Sequence, residues 1–398
     1  MLTLPRTCRH SAPNKRKKQL KARLSSMINQ ILPPATIGIV GGGQLGRMMA
    51  QSAKQMGYTV GVLDPTPNAP AAQVADFQIT ADYADTDALL QLAKRADVLT
   101  YEFENVDRAA LAQAEAYAAL PQGTHLLAIT SDRLREKTFV CDLGIPTVKF
   151  AAVPDSAALD AAVMEIGLPA ILKTTSGGYD GHGQLDLNTR DDLAAGRDLA
   201  DKTPCILEQR TSFIRELSVM VTRDGRDEVR VFPIVENRHA HHILHTTIAP
   251  AQHLAAQLNA NIKALAAKIA TALDLRGVLG IELFETNAGI LVNELAPRPH
   301  NSGHYTIEAC NFSQFDAHIL SICGLPIEPI RQLEPAVMRN LLGDDLAHAK
   351  TAWLKHPEWH FHDYGKGQSR PGRKMGHLTV TGPNVETLLA AVKLGGTD

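Results

Sequence analysis

Residues 36 to 64, TIGIVGGGQLGRMMAQSAKQMGYTVGVLD, constrain the fold more than any other stretch. A β-branched apolar run, a glycine turn, a helical segment and a second apolar run make a strand–helix–strand unit of a doubly wound α/β sheet. Gly41, Gly43 and Gly46 fit GxGxxG, and Asp64 ends the second strand where a ribose-binding acid would stand. Taken alone, the pattern points to a nicotinamide dinucleotide. The same glycines serve any strand that turns tightly into a packed helix, so a structural role, or another phosphorylated ligand, stands ahead of that reading.

The chain has 398 residues, 44% of them hydrophobic and 21% charged, enough for two or three domains with their own cores. A net charge of −2 argues against a nucleic-acid partner. No apolar run reaches the roughly 18 residues of a membrane span. The five cysteines, Cys8, Cys141, Cys205, Cys310 and Cys323, are scattered, which suits buried thiols in a reducing, cytoplasmic setting. Residues 1 to 34 form a basic extension, expected to be disordered, and no acid precedes Asp64. Three readings of it stay open: a translation start at Met27, a transit peptide, or a tail attracted to nucleic acid or membrane.

A buried strand in ADVLTYEFENV (96 to 106) ends at Glu102 and Glu104. Asp132 is placed to cap a helix over RLREKTFVCDLG, which Gly144 closes and Pro146 stops, and a second domain starts there. In LPAILKTTSGGYDGHGQLDL (168 to 187) an apolar strand delivers Lys173 into a loop with Gly177, Gly178, Gly181 and Gly183. Such glycines let backbone amides approach a phosphate; the alternative is a flexible hairpin with an exposed lysine. Alternation in RELSVMV and EVRVFPIVE predicts antiparallel strands with one polar face. His239, His241, His242 and His245 have spacing too irregular for zinc. NANIKALAAKIATALDL (259 to 275) reads as an amphipathic helix with Gly277 near its end.

GVLGIELFETNAGILVNELAPRP holds two apolar runs joined by a hairpin. A three-residue loop, Asn287 to Gly289, pairs Thr286 with Ile290 and sets Glu282 opposite Glu294. Facing like charges about 5 Å apart are destabilising, so a cation belongs between them. Magnesium, a hard ion that takes carboxylate oxygens, fits, with Asn293 as an additional ligand. A solvated pair on an exposed face is the alternative.

Together these features resemble the ATP-grasp superfamily, and within it the N5-carboxyaminoimidazole ribonucleotide synthase family. GGGQLGRM (41 to 48), YEFENV (101 to 106), GGYDG (177 to 181), NELAPRPHNSGHYT (293 to 306) and GKGQSRPGRKMGH (365 to 377) match its motifs in order, across roughly residues 36 to 382. The resemblance implies a multidomain α/β and α+β chain. A Rossmann-like domain would occupy 35 to 131, an ATP-grasp domain 132 to 325 and a small β-rich domain 326 to 398. The implied activity is carboxylation of 5-aminoimidazole ribonucleotide with bicarbonate and ATP, through carboxyphosphate, in purine biosynthesis.

The resemblance also assigns residues. Arg133 and Lys173 would meet the ATP phosphates, with the loop of Gly178, Tyr179, Asp180, Gly181, His182, Gly183 and Gln184. Glu208, Gln209, Arg210, Thr211 and Glu216 would hold adenine and ribose, and His239 would approach the nucleotide. Glu282 and Glu294 would bind Mg2+, with Asn293 adjacent. Arg298, His300 and Asn301 would be the catalytic group that holds small oxyanions beside the metal. Lys366, Arg373 and Lys374 would hold the substrate 5′-phosphate, while Tyr179, Asp180 and Glu102 would face the aminoimidazole. A homodimer, with product passed to a separate mutase, completes the expectation.

Two departures qualify it. Thr175 and His182 stand where the family usually carries basic residues. If His182 replaces a fixed charge, activity should fall as pH rises through about 6.5, and a flat profile there counts against the substitution. The chain also ends at LLAAVKLGGTD, shorter than expected. A nicotinamide-dependent dehydrogenase, a silent ATP-binding homologue and a formate-dependent glycinamide ribonucleotide transformylase are the competing functions. The first leaves Lys173, Glu282 and Glu294 without a role.

Overall fold

The computed structural model describes residues 30–178 and 183–394. The opening unit forms a four-stranded parallel sheet in the order Phe77–Ile79, Thr59–Leu63, Thr36–Val40, Val98–Tyr101. The helix Gln44–Gln55 covers one face through Met48, Met49, Ala50 and Ala53. Its far side packs on Phe315, Ile319 and Ile322 of the helix Gln314–Ile322, joining the first domain to the second. Helices Thr86–Ala93 and Arg108–Ala114 cover the other face.

Lys173 lies on a four-stranded antiparallel sheet ordered Phe150–Val153, Cys205–Gln209, Ala170–Thr174, Gln184–Leu187. The carboxylate pair lies on a larger antiparallel sheet. It starts at Gly289–Ala296 and runs through Val278–Thr286, Arg215–Arg223, Val235–Ala240 and Ile243–Ala249. It continues into Ala336–Leu342, Lys374–Thr381 and His360–Asp363, so the C-terminal strands extend the same sheet.

The Asp132 carboxylate accepts the Arg135 N–H at 2.9 Å, and the helix Arg133–Asp142 follows. Gly144 takes φ +67° just past its end, a conformation that costs glycine little. The later helix spans Ala256–Ala272, three residues ahead of the sequence expectation.

Three expectations need correction. Strand Arg215–Arg223 is not polar on one side, because Leu217 to Thr222 are buried without interruption. Leu217, Val219 and Val221 pack against the Ala256–Ala272 helix, and Met220 lies among Tyr305, Ala309 and Ala317 on the opposite face. Cys205, Cys310 and Cys323 are buried, but Cys141 is exposed near the end of its helix. The hairpin has a two-residue turn, with Thr286 paired to Gly289 rather than Ile290. Glu282 still faces Glu294, because a bulge places Val292 opposite Leu283 and leaves Asn293 without a cross-strand partner.

Candidate functional site

The first glycine turn carries its ligands within the chain. Glu102 accepts the Gly43 N–H at 2.5 Å and the Leu45 N–H at 3.1 Å, at the start of the helix Gln44–Gln55. Asp64 accepts the N–H groups of Gly42 and Thr66, both at 2.8 Å, and the Tyr83 hydroxyl at 2.5 Å. A pyrophosphate at the helix start and a ribose at Asp64 would compete with these bonds. A Cβ on Gly43 would come within 2.3 Å of Glu102 Oε1, so glycine is required there by the carboxylate. Burial raises the Glu102 carboxyl above its usual range, against the pull of the surrounding amides.

Across the cleft the carboxylates meet cations instead. Lys173 Nζ lies 2.6 Å from Glu208 Oε2, and Lys137 Nζ lies 3.4 Å from Glu208 Oε1. Burial works to raise the Glu208 carboxyl, but the two lysines hold it at about 2. Arg133 reaches Glu294 Oε2 at 3.1 Å and donates to the Gly178 carbonyl at 3.3 Å. His239 Nδ1 lies 2.6 Å from Glu216 Oε2; burial lowers the imidazole, and Glu216 together with Glu282 more than offsets it. The other histidines of that run part from His239: His241 and His242, both with positive φ, form the two-residue turn between Ala240 and Ile243. His245 Nδ1 contacts the Thr246 hydroxyl.

Gln209 extends the Glu208 strand by one residue. Arg210 is exposed and donates to Asn188 at 3.0 Å, and the Thr211 hydroxyl donates to the Gln209 carbonyl at 3.3 Å. The Gly183 carbonyl accepts the Thr174 N–H, and Gln184 opens the next strand. Tyr179, Asp180, Gly181 and His182 lie outside the described residues. Thr175 is buried, and its carbonyl accepts the Arg133 N–H at 2.8 Å.

Glu282 lies 3.2 Å from His300 Nε2 and accepts from the Asn293 carboxamide at 3.3 Å. Burial again favours the neutral acid, yet His300, with help from His239 and Asn293, holds Glu282 at about 2. Two carboxylates thus face each other across the strands, with the Asn293 carboxamide beside Glu282. Such a set suits a magnesium ion, which takes one or two carboxylates and leaves places for phosphate oxygens and water.

Arg298 Nε lies 2.9 Å from Glu104 Oε1, which brings the end of the first sheet to the second domain. His300 Nδ1 contacts the Ser302 hydroxyl at 2.8 Å. Asn301 is buried, and its carboxamide exchanges hydrogen bonds with that of Asn340. Lys366 Nζ donates to the Lys374 carbonyl at 2.8 Å and lies close enough to Glu102 to favour its charged form. Lys374 opposes protonation of His239 and of His304, which places its charge near both. Arg373 donates to Gln368 within its own loop.

The chain matches the ribonucleotide synthetase preATP-grasp domain over residues 34–130, the ATP-grasp domain over 138–315, and the phosphoribosylaminoimidazole carboxylase C-terminal domain over 336–391. It is 46% identical over 352 residues to the N5-carboxyaminoimidazole ribonucleotide synthase of Bacillus subtilis, covering 88% of this chain and 92% of that one. The chain belongs to the N5-carboxyaminoimidazole ribonucleotide synthase family. It is therefore an ATP-grasp ligase of purine biosynthesis. A solved N5-carboxyaminoimidazole ribonucleotide synthetase in complex with ADP superposes with a TM-score of 0.89 at 46% identity, over 92% of this chain and 97% of that one. The synthase of Aspergillus clavatus, solved with ADP and 5-aminoimidazole ribonucleotide, gives 0.84 at 34% identity, over 90% and 96%. Membership removes the dehydrogenase reading, in agreement with the self-filled glycine turn.

Sequence reading passed over Glu136 and Lys137 of this synthase-family chain, both buried, Lys137 against Glu208 and Glu136 against the Leu295 N–H. A signal existed: they follow Arg133 by three and four positions, on one face of the same helix. It also gave no role to Asn340, whose pairing with Asn301 ties the turn Asn301–Gly303 to the strand Ala336–Leu342.

Proposed function

We propose that this chain performs the family reaction, ATP-dependent carboxylation of 5-aminoimidazole ribonucleotide to its N5-carboxy product, in the cleft between the two antiparallel sheets. Arg133 and Lys173 draw the phosphates toward the strand ends. Glu208 to Thr211, with Glu216 and His239, receive the nucleoside. Glu282 and Glu294, with Asn293, hold Mg2+, which when bound neutralises phosphate charge and polarises the γ-phosphoryl group. One bicarbonate oxygen bonds to the γ-phosphorus as the bond to ADP breaks. The exocyclic amine then attacks the carboxyl carbon, inorganic phosphate leaves, and the amine gives up a proton.

Arg298 and His300 supply donors for the oxyanions in these steps, since charge developing in a buried site is best met by groups already oriented. Asn301 orients this segment through Asn340. Lys366, Arg373 and Lys374 take the ribose phosphate, and Tyr179 and Asp180 belong with the base, while Glu102 serves the pocket through the glycine turn it holds. A homodimer in the cytoplasm, handing its product to a separate mutase, completes the reading.

The observation that carries it is the register that sets Glu282 against Glu294, with His300 on one side and Arg133 on the other. The test is ADP release from ATP and Mg2+, with and without the ribonucleotide and with bicarbonate varied. Strong stimulation with consumption of the ribonucleotide supports the proposal. Protein that binds ATP but shows no stimulation is a silent homologue, and dependence on formate instead reveals the transformylase.

A further inference from the structure

Glu294 stands on Gly289–Ala296, the terminal strand of its sheet. An edge strand offers backbone groups that no neighbouring strand satisfies, and here a bulge also removes the cross-strand partner of Asn293. On that outer edge the Val292 N–H donates to the Pro146 carbonyl at 2.9 Å, while the backbone around Glu294 is met by a helix. A slip of one residue would put Asn293 opposite Glu282 and turn the Glu294 side chain to the other face of the sheet.

The helix Arg133–Asp142 runs beside this edge. Lys137 Nζ donates to the Asn293 carbonyl at 2.8 Å, and Glu136 Oε2 accepts the Leu295 N–H at 3.1 Å. These are the backbone groups on either side of Glu294, while Arg133, from the same helix face, reaches the Glu294 carboxylate. Glu136 is 4% exposed and Lys137 2%. Acidic and basic side chains are rarely buried so fully unless their polar atoms have partners, and apolar residues would fill a helix–sheet contact at lower cost. Lys137 also meets Glu208, so one side chain joins the nucleotide strand of the small sheet to the bulge of the large one.

We propose that Glu136 and Lys137 are positioning residues, which grip the backbone on both sides of Glu294 and thereby set where its carboxylate stands in the cleft. They act through Glu294 and need not touch a substrate. The inference rests on the assignment of Glu294 to the metal–nucleotide site.

The test compares Glu136→Leu, Glu136→Gln, Lys137→Met and Glu294→Gln in the full chain. The readouts are the Mg2+ concentration for half-maximal activity, KM for ATP, KM for the ribonucleotide, kcat and Tm. Groups that orient a metal ligand typically change metal affinity roughly 10- to 100-fold, and a shift of that size is expected for Glu136→Leu and Lys137→Met, with ribonucleotide KM little changed. Glu136→Gln should restore near-normal values, because its amide oxygen can still accept the Leu295 N–H. A purely structural role would lower Tm in all three and leave the constants of the folded enzyme alone, which would overturn the proposal. If Glu294→Gln itself leaves the Mg2+ requirement unchanged, the site assignment is wrong. If it shifts that requirement while Glu136→Leu and Lys137→Met do not, the grip alone is wrong. Hydrogen exchange of the unaltered protein covers variants that do not fold: the Leu295 amide should exchange as slowly as the sheet interior, and rapid exchange there overturns the proposal.

Discussion

The glycine turn of the first domain and the strand ends of the second domain both gather buried or half-buried carboxylates, but the carboxylates have different partners. Glu102 and Asp64 accept backbone N–H groups of their own turn, and burial pushes Glu102 upward. Glu208 and Glu282 face lysines and histidines, and each is held at about 2. An acid bonded to backbone amides completes a fold. An acid held ionised among cations forms a charge cluster that can exchange partners with phosphate and metal. A phosphate-binding motif is therefore diagnostic only when its amides remain available, and in the first domain the chain has occupied them itself.

The sharpest way to break this contrast is at the carboxylate pair. Glu282→Gln or Glu294→Gln should lower kcat/KM by roughly 1000-fold, an effect of about 4 kcal/mol on the barrier. Steady-state ADP release measures it, and a loss under tenfold would remove the pair from the centre of the site. Next in size, Lys374→Met should raise KM for the ribonucleotide by roughly 10- to 100-fold with KM for ATP unchanged, as loss of one charged hydrogen bond predicts. Equal changes in both constants would place Lys374 with the nucleotide.

On the structural side, Glu102→Ala leaves the Gly43 and Leu45 N–H groups without their acceptor. Urea unfolding should show a loss of about 3 kcal/mol, with KM for ATP unchanged. Unaltered stability would undo the contrast drawn above.

The smallest effect concerns acid. His318 is buried, with Nδ1 accepting the Val278 N–H at 3.1 Å and Nε2 beside the Thr100 hydroxyl at 2.8 Å, and burial holds its imidazole at about 3. The unfolded chain binds a proton below about 6.5 that the folded chain refuses, so this contribution is complete above 6.5 and is lost as pH falls toward 3. Between pH 8 and pH 5 it should amount to about 2 kcal/mol. Buried His304 and His377, both held well below their usual value, act with the same sign. His318→Asn keeps an acceptor for Val278 and should flatten the pH dependence of unfolding; an unchanged slope would assign it elsewhere.

Much of the site was legible because its signals are local. The run TIGIV, the glycines after Lys173, the Asp132 cap and the two runs around Asn287 each report on a few neighbouring residues, and propensity and turn chemistry act over that range. The facing of Glu282 and Glu294 was read by counting through a three-residue loop. The true path is a two-residue turn and one bulged residue, which add to the same offset. Local rules do not place bulges, since a bulge is stabilised by what lies beside the strand.

The sequence by itself determined the parallel first domain, the strands that carry Lys173, Glu208, Glu282 and Glu294, and the order of family motifs, because these depend on periodicity and short-range backbone preference. Only the tertiary structure decided which charges meet. It filled the first glycine turn with Glu102 and Asp64, joined Arg298 to Glu104 and His300 to Glu282, and laid Glu136 and Lys137 along the bulged edge. Those contacts join residues 18 to 194 positions apart, and their strength depends on distance and burial, which no spacing along the chain encodes.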